Sequence, residues 1–234
     1  MYKGHSILCI IPARGGSKGL LGKNIKNLSG KPLIAYTIEQ AKSSKYIDRI
    51  IVSTDDNRIA AVSRRYGAEV PFIRPKKLAK DRSGIIDVLL HAIKWMEEKE
   101  RYHFDTVMLL HVTAPLRTTF DIDSCIELLF RKGAEGIFSV TEAHRNPYFN
   151  MVELKSGRVG LVKKGNFLTR QRAPKVYDMN ASIYVWKKEA LKEKKRVISG
   201  KSCIYIMPRN RSVDIDDKLD FDIVKMLLKK TKEL

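Results

Sequence analysis

Ile7-Leu8-Cys9-Ile10-Ile11-Pro12-Ala13-Arg14-Gly15-Gly16-Ser17-Lys18-Gly19 is the stretch that decides the fold of this chain. Five apolar residues in a row, stopped by a proline, read as a short strand buried on both faces, as in the middle of a parallel sheet. Directly behind it, glycines interleave with Arg14 and Lys18, and Gly22-Lys23-Asn24 follows. Glycines there let backbone N–H groups approach an anion, and the cations add charge where a triphosphate would sit. A bare basic turn of this composition is also compatible with a solvated loop. Two familiar phosphate loops are excluded by spacing. Five residues separate Gly16 from Gly22-Lys23 where a Walker A loop needs four, Asn24 replaces its Ser or Thr, and no GxGxxG occurs.

Outward from this point the strand signature recurs at Arg49–Ser53, Glu69–Phe72, Thr106–Leu110 and Gly136–Val140, with helical periodicity between. Lys31-Pro32 opens a first helix carrying Ile34, Ile38 and Ala41, and Asn57 to Tyr66 forms a second, closed by Gly67. Ile86, Leu89, Leu90 and Ile93 share one helical face. Ile122, Cys125, Ile126 and Leu129 share another, with Thr119 as the expected N-cap. Strands alternating with helices predict an α/β fold around a mostly parallel sheet. The rhythm breaks over about 142–178, a stretch rich in Gly, Pro and Asn, where eight basic residues face three acidic ones. Only short β-like pieces occur there, at Met151–Leu154 and Val159–Leu161. Strand-like segments resume at Ser182–Trp186 and Ile204–Met207, and an amphipathic helix with Leu219, Ile223, Met226 and Leu227 ends the chain. No internal repeat or low-complexity linker is present, so residues 1–234 form one domain with a protruding excursion.

A chain of 234 residues with 44% hydrophobic content buries enough surface to need no disulfide or zinc scaffold. Cys9, Cys125 and Cys203 have no paired spacing and read as reduced thiols. No apolar run approaches the length of a membrane span or a signal peptide, so a cytoplasmic protein with no membrane partner is expected. Lys and Arg number 45 against 26 Asp and Glu, a formal charge of +19, which calls for an anionic partner. Nucleic acid is one candidate. Against it, Tyr148, Phe149, Phe167 and Tyr177 form no stacking motif and no nucleic-acid module string occurs.

Asp214 and Asp216 stand one residue apart in Ser212-Val213-Asp214-Ile215-Asp216. In an extended segment both carboxylates share a face while Val213 and Ile215 anchor the other, an arrangement suited to a hard cation such as Mg²⁺. By itself, such a pair is more often a turn or helix start.

IPARGGSKGLLGKNIKNLSGKPLIAYTI, residues 11–38, resembles the opening of the cytidylyltransferases that activate sialic acid and related nine-carbon acidic sugars, the CMP-acylneuraminate synthetases. The resemblance continues in order through IVSTDD (51–56), YGAEVPFIRP (66–75), LLHVTAPLR (109–117), NASIY (180–184) and SVDIDDKLD (212–220). CMP-Kdo synthetases open differently, and the Lys18-Gly19 and Lys23-Asn24 pairs favour the sialate branch. The resemblance implies a Rossmann-like domain of the nucleotide-diphosphosugar transferase type. The excursion would then be a dimerisation subdomain reaching over the partner's active site in a homodimer. The implied reaction joins CTP to a 2-keto nonulosonic acid, giving the CMP-sugar and pyrophosphate, with Mg²⁺ or alternatively Mn²⁺ as cofactor.

The resemblance also implies site residues. Arg14, Gly15, Gly16, Lys18, Lys23 and Asn24 would hold the nucleotide, and Arg74 and Ser83 would meet cytidine. Arg14, Lys23, Asp214 and Asp216 would serve catalysis, with Asp216 the main metal ligand and Asp214 a second ligand or the base. His111, Thr113, Arg170, Asn180 and Tyr184 would meet the sugar, Arg170 facing its carboxylate. Several positions depart from the family pattern. His111 stands where these enzymes carry Gln, Ala114 where they carry Ser, Phe149 where Lys is frequent, and Ala181-Ser182 where Gly-Ala is usual. These changes leave the sugar open between sialic acid and a legionaminate- or Kdn-like relative, with the altered pocket suiting the latter better than N-acetylneuraminate.

Overall fold

The computed structural model describes residues 1–16, 19–80 and 82–232. Strand β1 (Ile7–Pro12) lies inside a six-stranded sheet, and its side chains divide by the two-residue period of a strand. Ile7, Cys9 and Ile11 enter one core layer and Leu8 and Ile10 the other, all fully buried. A two-residue ladder of β2 (Asn27–Leu28) and β3 (Lys31–Pro32) then leads into α1 (Leu33–Lys42), whose N-cap is Pro32. After β4 (Arg49–Ser53), Asp56 caps α2 (Asn57–Arg65), and Gly67 leaves that helix at φ 90. Helix α3 (Ile85–Glu98) buries Leu89, Ala92, Ile93 and Met96 in the second layer. Strand β5 (Thr106–Leu110), α4 (Thr119–Arg131) and β6 (Gly136–Glu142) follow. The N-cap of α4 is Thr118, one residue before the expected Thr119. Its hydroxyl accepts the Asp121 amide while the Asp121 carboxylate takes the Thr118 amide, a reciprocal box that Thr119 cannot make.

Between β6 and β9 (Tyr177–Lys187) the chain forms the hairpin β7 (Val152–Lys155) and β8 (Arg158–Leu161). Helix α5 (Lys188–Lys194), β10 (Ser202–Ile206) and α6 (Lys218–Lys232) complete the fold. The sheet order is β10-β6-β9-β5-β1-β4; β9 runs antiparallel to both neighbours and the remaining pairs are parallel. The expected strand at Glu69–Phe72 is not one. It pairs only through isolated bridges, Glu69 with Ile51 of β4 and Ile73 with Thr54 just beyond it, and Pro71 between them has no N–H to donate. No helix among the described residues is long and apolar enough to cross a membrane. Cys9 and Cys125 are buried and Cys203 half-buried, all three as free thiols.

Candidate active site

From β1 the chain moves outward to β4 and then returns to the other side of β1 as β5, so the strand order reverses between β1 and β5. Ligands of open α/β sheets bind in the crevice beyond the carboxyl ends of the strands at such a point. A cavity of about 460 Å³ lies there. Pro12 and Arg14 line it from the end of β1 and His111 and Thr113 from the end of β5. Lys23, Asn24, Arg74, Ser83 and Asp216 also line it. Segments far apart in sequence thus place five expected nucleotide ligands (Arg14, Lys23, Asn24, Arg74 and Ser83) and one expected metal ligand around one space.

Each part of the basic loop has a local reason for its position. The buried Asn24 donates from Nδ2 to the Arg14 carbonyl at 2.8 Å, so this side chain ties the two ends of the loop together. Gly15 donates its amide to Asp55 Oδ1 at 3.0 Å. A Cβ on Gly19 would fall 2.3 Å from the Asp216 carbonyl oxygen, so the loop reaches the acidic segment only as glycine. Lys18 lies outside the described residues, and Gly16 is exposed with open space around it.

The acidic segment is not a strand. Ile215 is fully buried and donates its amide to the Thr113 carbonyl at 2.8 Å, while Val213 packs against the same core layer. Asp217 and Asp220 exchange amide–carboxylate hydrogen bonds that start α6, and Asp220 also accepts the Asp216 amide at 2.9 Å. Lys23 donates to the Ile215 carbonyl and lies 3.7 Å from Asp216 Oδ1. Asp214 Oδ1 is buried with no hydrogen-bond partner. Burial raises the Asp214 carboxyl above the ordinary carboxylate value; the Thr113 hydroxyl opposes the shift, Asp216 adds to it and Lys23 opposes it. No group of three or more His, Cys, Asp or Glu converges as a ready metal cage among the described residues. Two carboxylates, one with an orphaned oxygen, nonetheless fit a small hard cation that takes its remaining ligands from phosphates and water.

Arg74 is 4% exposed, yet its Nε and Nη2 make no hydrogen bond to protein, and burial lowers its proton affinity. Ser83 donates to the Lys77 carbonyl at 3.0 Å. Leu78, Ile85 and Val88 give this end of the cavity an apolar wall and Lys80 adds a cation. None of the four stands in a recognisable motif, which is why sequence reasoning passed over them.

The residues expected to meet the sugar separate in the structure. His111 and Thr113 reach the cavity; Arg170, Asn180 and Tyr184 do not line it. Asn180 is buried and fully engaged, accepting from the Ser139 hydroxyl and donating to Ser212 Oγ and Met207 Sδ. Tyr184 is buried with its ring stacked on Phe138 and Trp186. Arg170 is exposed on the excursion and donates to the Ala143 carbonyl at 2.9 Å. Behind His111 sits a residue that sequence reasoning did not assign: Arg117, 2% exposed, binds the carbonyls of Ser182 and His111 and the hydroxyl of Thr37. It locks the end of β5 to α1 and β9. Burial in this cluster pulls the Arg117 guanidinium down to about 10, and burial with Arg117 alongside pulls the His111 imidazole down to about 4.

A parallel-sheet crevice with a glycine loop, converging cations and a carboxylate pair defines a nucleotidyltransferase. The chain belongs to the cytidylyltransferase family, whose model matches residues 8–233. It is 43% identical over 222 residues to the CMP-N,N'-diacetyllegionaminic acid synthase of Campylobacter jejuni, spanning 95% of this chain and 94% of that protein. It is also 43% identical over 223 residues to post-translational flagellin modification protein B of Campylobacter coli, spanning 95% of each. Among solved structures, CMP:2-keto-3-deoxy-manno-octonic acid synthetase complexed with CTP shares the fold, with a TM-score of 0.70 at 15% identity over 98% of this chain and 100% of that one.

Proposed function

We propose that this enzyme joins CTP to a nine-carbon 2-keto acidic sugar of the diacetyllegionaminate kind, releasing pyrophosphate. One observation carries the reading: Arg14, Lys23, Arg74 and Asp216 share a single cavity at the strand-order reversal. The sugar's anomeric 2-hydroxyl attacks the α-phosphorus in line, forming the new O–P bond as the bond to pyrophosphate breaks. Arg14 and Lys23 face the charge that develops on the phosphates, in positions set before the reaction starts. Asp214, with its raised proton affinity and unpartnered Oδ1, takes the hydroxyl proton. Asp216, with Asp214 behind it, would hold Mg²⁺ or Mn²⁺. When bound, the ion screens charge on the transferring phosphoryl group.

A homodimer is part of the proposal. Val152, Leu154, Val159 and Leu161 pair across the hairpin, Val152 opposite Leu161 and Leu154 opposite Val159, so they share one face. All four are exposed, Leu154 by 74%. A second copy would cover this face and would bring Arg170 to the sugar carboxylate. We place the reaction in the cytoplasm, where CTP is made. A panel of the four ribonucleoside triphosphates against diacetyllegionaminate, N-acetylneuraminate, Kdn and Kdo, read by pyrophosphate release, tests the function. Turnover with CTP and the legionaminate is expected to exceed every other pair; preference for Kdo or for another triphosphate overturns it.

A further inference from the structure

Asp55 does not line the cavity and carries no role so far, yet two parts of the site meet on it. Its Oδ1 accepts the Gly15 amide at 3.0 Å and lies 3.6 Å from Nη2 of Arg74. The turn around it is rigid. The Thr54 carbonyl accepts the Arg74 amide at 2.7 Å, and the Thr54 hydroxyl accepts the Asp56 amide at 3.1 Å. Asp56 in turn caps α2 through the Arg58 and Ile59 amides. A Cβ on Gly15 would fall 2.9 Å from Asp56 Oδ2 and 3.0 Å from its Cβ, and the capped Asp56 cannot withdraw. The glycine loop therefore rests on this turn, and so does the arginine.

The guanidinium of Arg74 is a planar fork of donors on the cavity wall; its Nε and Nη2 are buried, and Nη2 faces Asp55 Oδ1 at 3.6 Å. Cytosine presents two adjacent acceptors, N3 and O2. Uracil presents a donor, N3–H, in place of the first. A fork held edge-on toward the base accepts cytosine and sets donor against donor with uracil, so its orientation decides the discrimination. The other charged or titratable groups facing the guanidinium are Arg14, which repels it, and His91, which burial keeps toward the neutral form. Asp55 is the acid that balances it.

We propose that Asp55 is a positioning residue for nucleobase selection: its Oδ1 couples the glycine loop to the Arg74 fork, so that phosphate binding and base reading form one arrangement. This rests on the reading that Arg74 meets the base of CTP.

Asp55→Asn keeps an acceptor for the Gly15 amide and removes the charge; Asp55→Ala removes both. Binding of CTP and of UTP is measured by calorimetry on the folded variants, alongside pyrophosphate release. Losing one charge-assisted contact is expected to weaken CTP about tenfold and narrow the CTP-over-UTP preference about tenfold in Asp55→Asn, with kcat within about threefold. In an Arg74→Lys background the same substitution is expected to change the preference no further. Asp55→Glu, which keeps the charge on a longer arm, is expected to recover part of the preference. An unchanged CTP-over-UTP preference, or an equal loss with and without Arg74, overturns the proposal. Binding is read without the sugar, so a protein that selects CTP yet transfers no nonulosonate overturns the function proposed above and leaves this coupling standing.

Discussion

Lys23 and Asp216, from opposite ends of the chain, meet at the cavity with Nζ 3.7 Å from Oδ1, and the same ammonium binds the Ile215 carbonyl between the two aspartates. One cation therefore ties the end of the glycine loop to the acidic segment. Lys23→Met is expected to lower kcat/KM for CTP by about 10²–10³, the usual cost of removing one preorganised group facing developing phosphate charge. Lys23→Arg should restore part of it. Pyrophosphate-release kinetics within tenfold of wild type for Lys23→Met would refute the assignment.

Asp214 is expected to trade stability for function. Because its folded carboxyl is raised, the unfolded chain ionises first as pH climbs through the carboxylate range. The group then costs stability until it ionises in the folded state as well, and that cost persists at neutral pH. Asp214→Asn should raise the melting temperature at pH 7 while abolishing nucleotide transfer. A melting temperature that falls by several degrees would contradict this.

His111 makes the opposite demand. Its folded value of about 4 lies below the usual 6.5, so its contribution is complete above pH 6.5 and is lost as pH falls from there toward 4. The ceiling is about 3 kcal/mol, less for the part of the ring that stays exposed. Denaturant melts at pH 7 and pH 5 should show a loss that His111→Gln reduces; identical slopes in both proteins would exclude His111 as its source.

Ala181 has φ +44, in the left-handed region, inside the irregular stretch of β9 where the pairing jumps from Phe138–Tyr184 to Val140–Met179. A side chain there costs roughly 1–2 kcal/mol, partly offset by the roughly 0.5–1 kcal/mol of extra chain entropy that glycine loses on folding. Ala181→Gly should therefore stabilise by about 0.5–1 kcal/mol, a rise of a few degrees by calorimetry. No rise would show that the surrounding hydrogen bonds already absorb the strain.

Leu154→Asp places a charge on the apolar face of the β7–β8 hairpin. In sedimentation the protein is expected to run at twice the chain mass as wild type and at the mass of one chain as the variant, with its melting temperature little changed. A wild type that sediments as a monomer ends the dimer proposal.

Much of the site was legible because its parts are local. The unbroken apolar run Ile7–Ile11, the glycines behind Pro12 and the spacing of Asp214 and Asp216 each report a backbone geometry that neighbouring residues impose. Ala181 was legible only as a departure from the family pattern; the structure showed that it occupies a left-handed position that Gly would fill without strain. Thr118 and Pro71 show the limit of local reading. A helix start shifted by one residue, and a strand reduced to two bridges, followed from single hydrogen-bonding groups whose effect depended on their neighbours in space.

The sequence by itself determined the layers, the basic loop and the acidic pair, since periodicity and turn chemistry act over a few residues. Only the tertiary structure decided where β9 runs, that Arg117 braces the end of β5, that Arg170 stays off the cavity, and that Asp55 stands between Gly15 and Arg74. Those depend on which distant segments the sheet order brings together. The orientation of a buried charge is set by the partners it finds there.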